Sequence, residues 1–195
     1  MRADGRPGRR RDWAVTLVVV AALGLGAWAY LTSRGDDSGA LWSRLPGGTD
    51  VAPATDARYL SECGDCHFAY QPGLLPARGW DRIMATLDDH FGDNAELDPE
   101  ARTAITEYLI QNAADTSHLR RPAQIVRSIP ARDTPLRISE VPYIKDAHKD
   151  IPARLVTGNA KVESASHCDA CHVQADKGYY NDSNVVIPGH GKWTD

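Results

Sequence analysis

The chain has 195 residues, 42% hydrophobic and 25% charged, a globular mix that excludes collagen-like, mucin-like and wholly disordered polymers. Only 7% are aromatic, with two Phe, so a large core of side chains alone is hard to assemble and something else is expected to fill the middle. Net charge is −4; five arginines against Asp4 and Asp12 give the first twelve residues +3, which leaves −7 for everything downstream.

Residues 1–12 are a basic tail that reads as cytoplasmic. Residues 13–31, WAVTLVVVAALGLGAWAYL, run nineteen residues without a charge, enough to cross the hydrocarbon layer as a helix, with Trp13, Trp28 and Tyr30 near the ends as interfacial aromatics. The arginines ahead of this run keep that end in the cytoplasm and export the rest. The flanking charges and the lack of a polar face argue against a buried core helix. A cleaved signal peptide shares the layout, and Ala27-Trp28-Ala29 suits its cleavage site, but the length of the apolar run favours a retained transmembrane anchor. Either way the body is periplasmic. Residues 32–55, rich in Gly, Pro, Ser and Asp, read as a flexible linker.

The body divides into residues 56–118 and 119–195. In residues 76–91, Trp80, Ile83, Met84, Leu87 and Phe91 follow the spacing of one buried helical face, and His90 lies on that face. Asp98 and Pro99 form an N-cap and first helical position for PEARTAITEYLIQNA. Residues 119–141, interrupted by Pro122, Pro130 and Pro135, read as an extended connector. After Pro142, the residues Tyr143, Ile144, Ala147 and Ile151 share a helical face with His148. No run alternates long enough to demand a sheet, so the expected fold is mainly α with extensive irregular segments.

The four cysteines form two CxxC pairs, Cys63 with Cys66 and Cys168 with Cys171, and a histidine follows each pair at His67 and His172. Two thiols at this spacing reach the two vinyl groups of one porphyrin, and the next residue falls under the iron as an axial ligand. A four-cysteine zinc site needs no histidine after each pair, a redox dithiol normally follows a strand, and a bridge over two residues constrains little. Two covalently bound c-type haems are the expected cofactors, one per region, and haem attachment agrees with export. The second axial ligand of each iron is sought among His90, His118, His148, His167 and His190, with Met84 as a rival to His90 at the first haem. His167 adjoins Cys168, His118 follows a helix end where a cation suits the dipole, and His190 lies in a Gly-rich tail, so His90 and His148 are favoured. Which of the two serves which haem stays open. Arg78, Arg82, Arg120 and Arg121 are candidates to pair with propionates.

The stretches ECGDCHFAYQPGLLPARGW, LDDHFGDNAELDP, RISEVPYIKDAHKDI and CDACHVQADKGYYNDSNVVIP, in that order over about residues 56–188, resemble the periplasmic dihaem cytochromes c of the DHC type from photosynthetic and other proteobacteria. The resemblance implies a cytochrome c-type dihaem globule, here behind an N-terminal transmembrane helix, with His/His ligation that uses His90 and His148. It also implies an electron carrier without substrate chemistry, reduced by a membrane cytochrome b and donating to a small oxygen-binding monohaem cytochrome. No nucleic-acid partner is expected. Two other classes are kept beside it: a dihaem peroxidase with one open iron, and the small dihaem subunit of a periplasmic reductase.

Overall fold

Polar caps and prolines mark the starts of several helices in a computed structural model that describes residues 48–193. Helix α1, Ala57–Gly64, starts where the Asp56 carboxylate accepts the Tyr59 N–H at 2.8 Å. Helix α2, Ala77–Met84, buries Trp80, Ile83 and Met84, and the Trp80 indole donates to the Pro72 carbonyl at 2.7 Å. Its first N–H, on Ala77, finds the Asp115 carboxylate at 2.8 Å. Helix α3, Pro99–Gln111, is capped by Asp98, which accepts from Glu100 N and Ala101 N at 3.0 Å each, and buries Ala101, Ile105 and Leu109. The α2 and α3 pair makes the most extensive helix contact in the fold.

The region read as an extended connector contains helix α4, Arg120–Ser128. Pro122 occupies its first turn, where the missing N–H has no intrahelical partner to lose, so the proline marks a helix start rather than a break. Helix α5, Pro142–Ala147, packs on α4, and α6 is the single turn Cys168–Cys171. Strands β1, Val186–Ile187, and β2, Gly191–Lys192, close a two-residue antiparallel hairpin.

Two other expectations are corrected. Residues 76–91 are not one helix: α2 stops at Met84, a single 3-10 turn covers Leu87–Asp89, and Phe91 turns out to solvent, 45% exposed with φ 61°. Gly92, at φ 105°, reverses the chain there, and His90 and Asp93 bond through their backbones. The globule also begins earlier than residue 56, inside the stretch read as linker. Val51 is fully buried, its N–H and that of Asp50 donate to the Gly178 carbonyl at 3.1 and 2.9 Å, and Asp50 pairs with Arg121 at 3.1 Å. Among the described residues no helix is long and apolar enough to cross a membrane; residues 13–31 lie outside them.

One continuous apolar cluster, including Val51, Leu75, Ile105, Leu109, Ile125 and Val141, joins both halves of the body, and Cys63 and Cys168 pack against it.

Candidate metal centres

The first motif straddles the end of α1. Cys63 lies in its last turn, Cys66 follows in the exposed loop, and His67 then turns inward. The His67 Nδ1 stands 2.8 Å from the Phe68 carbonyl; a carbonyl can only accept, so Nδ1 is the donor and Nε2 is the nitrogen left for a metal. The His90 ring faces it, with centroids 6.2 Å apart and planes within 18°. His90 follows the Leu87–Asp89 turn and lines a cavity of about 360 Å³ with Ile83, Phe91, Leu136 and Arg137. Burial pushes the His90 pKa down, with the His67 ring adding to the shift.

The second motif is α6 itself, with His172 immediately after it and bridged through its backbone to Val185. His148, just past α5, faces His172 with ring centroids 6.0 Å apart and planes at 77°. The His148 Nδ1 donates to the Ile144 carbonyl at 2.7 Å, so here too a protonated Nδ1 leaves Nε2 free. Both rings line a cavity of about 330 Å³ together with Arg121, Ile144, Cys168 and Cys171. Burial pushes the His172 pKa down to about 4, helped by His148 and Arg121, which keeps the imidazole neutral at physiological pH.

These separations test the fit of an iron porphyrin. Two imidazole-metal bonds of about 2 Å, plus roughly 1 Å from each ring centre to its Nε2, place axial rings about 6 Å apart. Both pairs meet that spacing, each beside its own CxxC pair. A zinc site fits poorly, since no group of three or more His, Cys, Asp or Glu gathers among the described residues. A redox dithiol fits poorly as well: burial raises Cys63 to about 11 and Cys168 to about 12, whereas reactive thiols have lowered pKa values. None of the four cysteines is in a disulfide.

Of the remaining axial candidates, only His167 lines one of the two cavities. Met84 is 4% exposed, packed in the core under α2. His118 is exposed between α3 and α4, His190 packs on Trp193 in the hairpin, and His167 lines the second cavity with its Nδ1 on the Val162 carbonyl at 2.6 Å. Of the arginines, only Arg121 reaches that cavity, where it bonds Asp50, the Tyr143 hydroxyl and the Tyr180 carbonyl; Arg78 donates to the Asp133 carbonyl.

Sequence reasoning missed the residues that tie the two sites together. The Tyr70 ring lies 5.2 Å from His67, and its hydroxyl donates to the Ser166 carbonyl at 2.7 Å. Gln71, 1% exposed, donates to the Ala175 carbonyl and accepts from the Tyr180 hydroxyl, and the Tyr180 ring lies 5.2 Å from His172. A lone polar residue within the apolar run around Leu74 and Leu75 was the only local hint.

Residues 59–180 match the dihaem cytochrome c (DHC) family. Among solved structures, a dihaem cytochrome c from Shewanella baltica is 41% identical with a TM-score of 0.59, over 71% of this chain and 97% of that one. A dihaem cytochrome c from Rhodobacter sphaeroides is 42% identical with a TM-score of 0.60, over 67% of this chain and 100% of that one. No curated protein matches. With two facing imidazole pairs each set beside a CxxC pair, and these likenesses across the body, the chain belongs to the dihaem cytochrome c family, an electron carrier rather than an enzyme, with two covalently bound haem c groups.

Proposed function

We propose that this protein relays electrons in the periplasm, from a membrane cytochrome b or other quinol-linked donor to a soluble haem protein, and that residues 13–31 anchor it to the inner membrane. The observation that carries the reading is the pair of imidazole couples about 6 Å apart, each built on one CxxCH motif, within a single core. When bound, each haem supplies an iron that takes up and returns one electron. Cys63 and Cys66 would hold the first haem together with His67 and His90, and Cys168 and Cys171 the second together with His172 and His148. With both imidazoles of each pair engaged, no position would be left for a small-molecule substrate, which favours a carrier over a peroxidase-like site. The small oxygen-binding monohaem cytochrome suggested by the sequence resemblance is the proposed acceptor, and the −7 charge of the body favours steering toward basic surfaces.

The test has two arms. Membrane fractionation with N-terminal sequencing of the mature protein should find it membrane-bound with residues 13–31 retained; a soluble form beginning near residue 30 would remove the anchor. Quinol-reduced membranes should reduce the purified holoprotein, and the holoprotein should then reduce the monohaem acceptor. Failure of either transfer removes the corresponding partner.

A further inference from the structure

The two imidazole pairs differ in a way that sets the two irons apart. At the first, the His67 and His90 planes are within 18° of parallel; at the second, the His148 and His172 planes cross at 77°. Parallel rings overlap the same iron d orbital and split it from its neighbour. Crossed rings each overlap a different one, so the two orbitals stay nearly level, the ferric state gains less stabilisation, and its paramagnetic signal becomes strongly anisotropic.

The crossing is built by the protein on both sides. The Ile144 carbonyl, one turn back, fixes the His148 ring. Tyr180 fixes the other, its ring 5.2 Å from His172 at 60°. Tyr180 is 8% exposed and pinned at every polar atom: the hydroxyl donates to Gln71, the N–H to Asp50 at 2.7 Å, and the carbonyl accepts from Arg121 at 3.3 Å. One further feature points the same way. His172 Nδ1 is buried without a hydrogen-bond partner, unlike His67 Nδ1 on its carbonyl, and an axial imidazole with no acceptor for its second N–H is the weaker donor to iron.

We propose that Tyr180 is a positioning residue that holds His172 crossed against His148, and that this makes the second iron the higher-potential centre, reduced before the first. The inference rests on the axial pairing proposed above.

Low-temperature paramagnetic spectra of the oxidised holoprotein, followed through stepwise reduction with dithionite, test it. Two low-spin ferric signals are expected, one ordinary rhombic and one with a single steep low-field feature, and the steep one should bleach first while the rhombic one retains most of its intensity. His90→Ala should remove only the rhombic signal. Tyr180→Phe, which loses the bond to Gln71, should move the steep feature toward the ordinary range, and Tyr180→Leu should move it further, with the rhombic signal unmoved in both. Two rhombic signals, a steep feature that bleaches last, or one unmoved in Tyr180→Phe would overturn the proposal while leaving the axial pairing intact. Tyr180→Phe removes a single oxygen and decides the matter alone if Tyr180→Leu does not accumulate. A high-spin ferric signal in the unmutated protein would overturn the pairing, and this inference with it.

Discussion

Replacing Gly178 with alanine should cost far more than a surface glycine normally does. Gly178 sits at φ 77°, where a side chain costs about 1–2 kcal/mol. A Cβ there would overlap the Val51 carbonyl oxygen and come within 3.0 Å of its carbon. The neighbouring segment must therefore move, and it is held by two N–H bonds to the Gly178 carbonyl, worth about 1 kcal/mol each. Val51 is fully buried, and partial withdrawal from the core costs about another 1 kcal/mol. The total is about 4 kcal/mol, a large share of the ~5–15 kcal/mol that holds a domain folded. Gly92→Ala is the control: its φ of 105° is also positive, but nothing lies within 4 Å of the added Cβ, so only the backbone cost of about 1–2 kcal/mol applies. Guanidinium unfolding of both holoprotein variants, followed by circular dichroism, should show the larger midpoint loss for Gly178→Ala with an unchanged slope. Thermal melting should drop by roughly 10 °C. Equal losses in the two variants would refute the claim that residues 50–53 are pinned to the globule.

Other outcomes follow from the same geometry. His148→Ala should convert one six-coordinate low-spin iron to high spin and open it to carbon monoxide, read in the visible spectrum; an unchanged spectrum removes His148 as a ligand. Ile105→Ala, at a fully buried position, should lose about 2–5 kcal/mol by denaturant titration. Cells lacking haem attachment should accumulate little of the protein on immunoblots, because the side-chain core is small; normal levels of stable apoprotein would contradict this.

The features legible in the sequence were those written locally. Asp98 and Pro99 announced α3, since a cap and a first-turn proline act on adjacent residues. The same logic was available at Pro122 but ran the wrong way: a proline inside a polar, arginine-rich stretch looks like a breaker until its place in the first turn is known. The apolar spacing of Trp80 to Leu87 found a true buried face, but spacing alone could not register that α2 stops at Met84 and that Phe91 takes a positive φ. Both CxxCH motifs and the two favoured histidines could be named from chemistry and counting. The ring angles could not, because they depend on Tyr180 and on carbonyls whose positions only the folded chain defines. Asp50 and Val51 were hidden for a related reason: their partners, Arg121 and Gly178, lie 71 and more positions away.

The cross-links from Tyr70 and Gln71 to Ser166, Ala175 and Tyr180 carry a consequence for how such a molecule is divided. Cut between α3 and α4, the N-terminal piece would expose a buried amide and an apolar valine with nothing to cover them, and the C-terminal piece would lose the groups that seat its tyrosine. The protein is thus no string of two interchangeable beads, and losing one cofactor by deleting half the chain would ruin the half that remained.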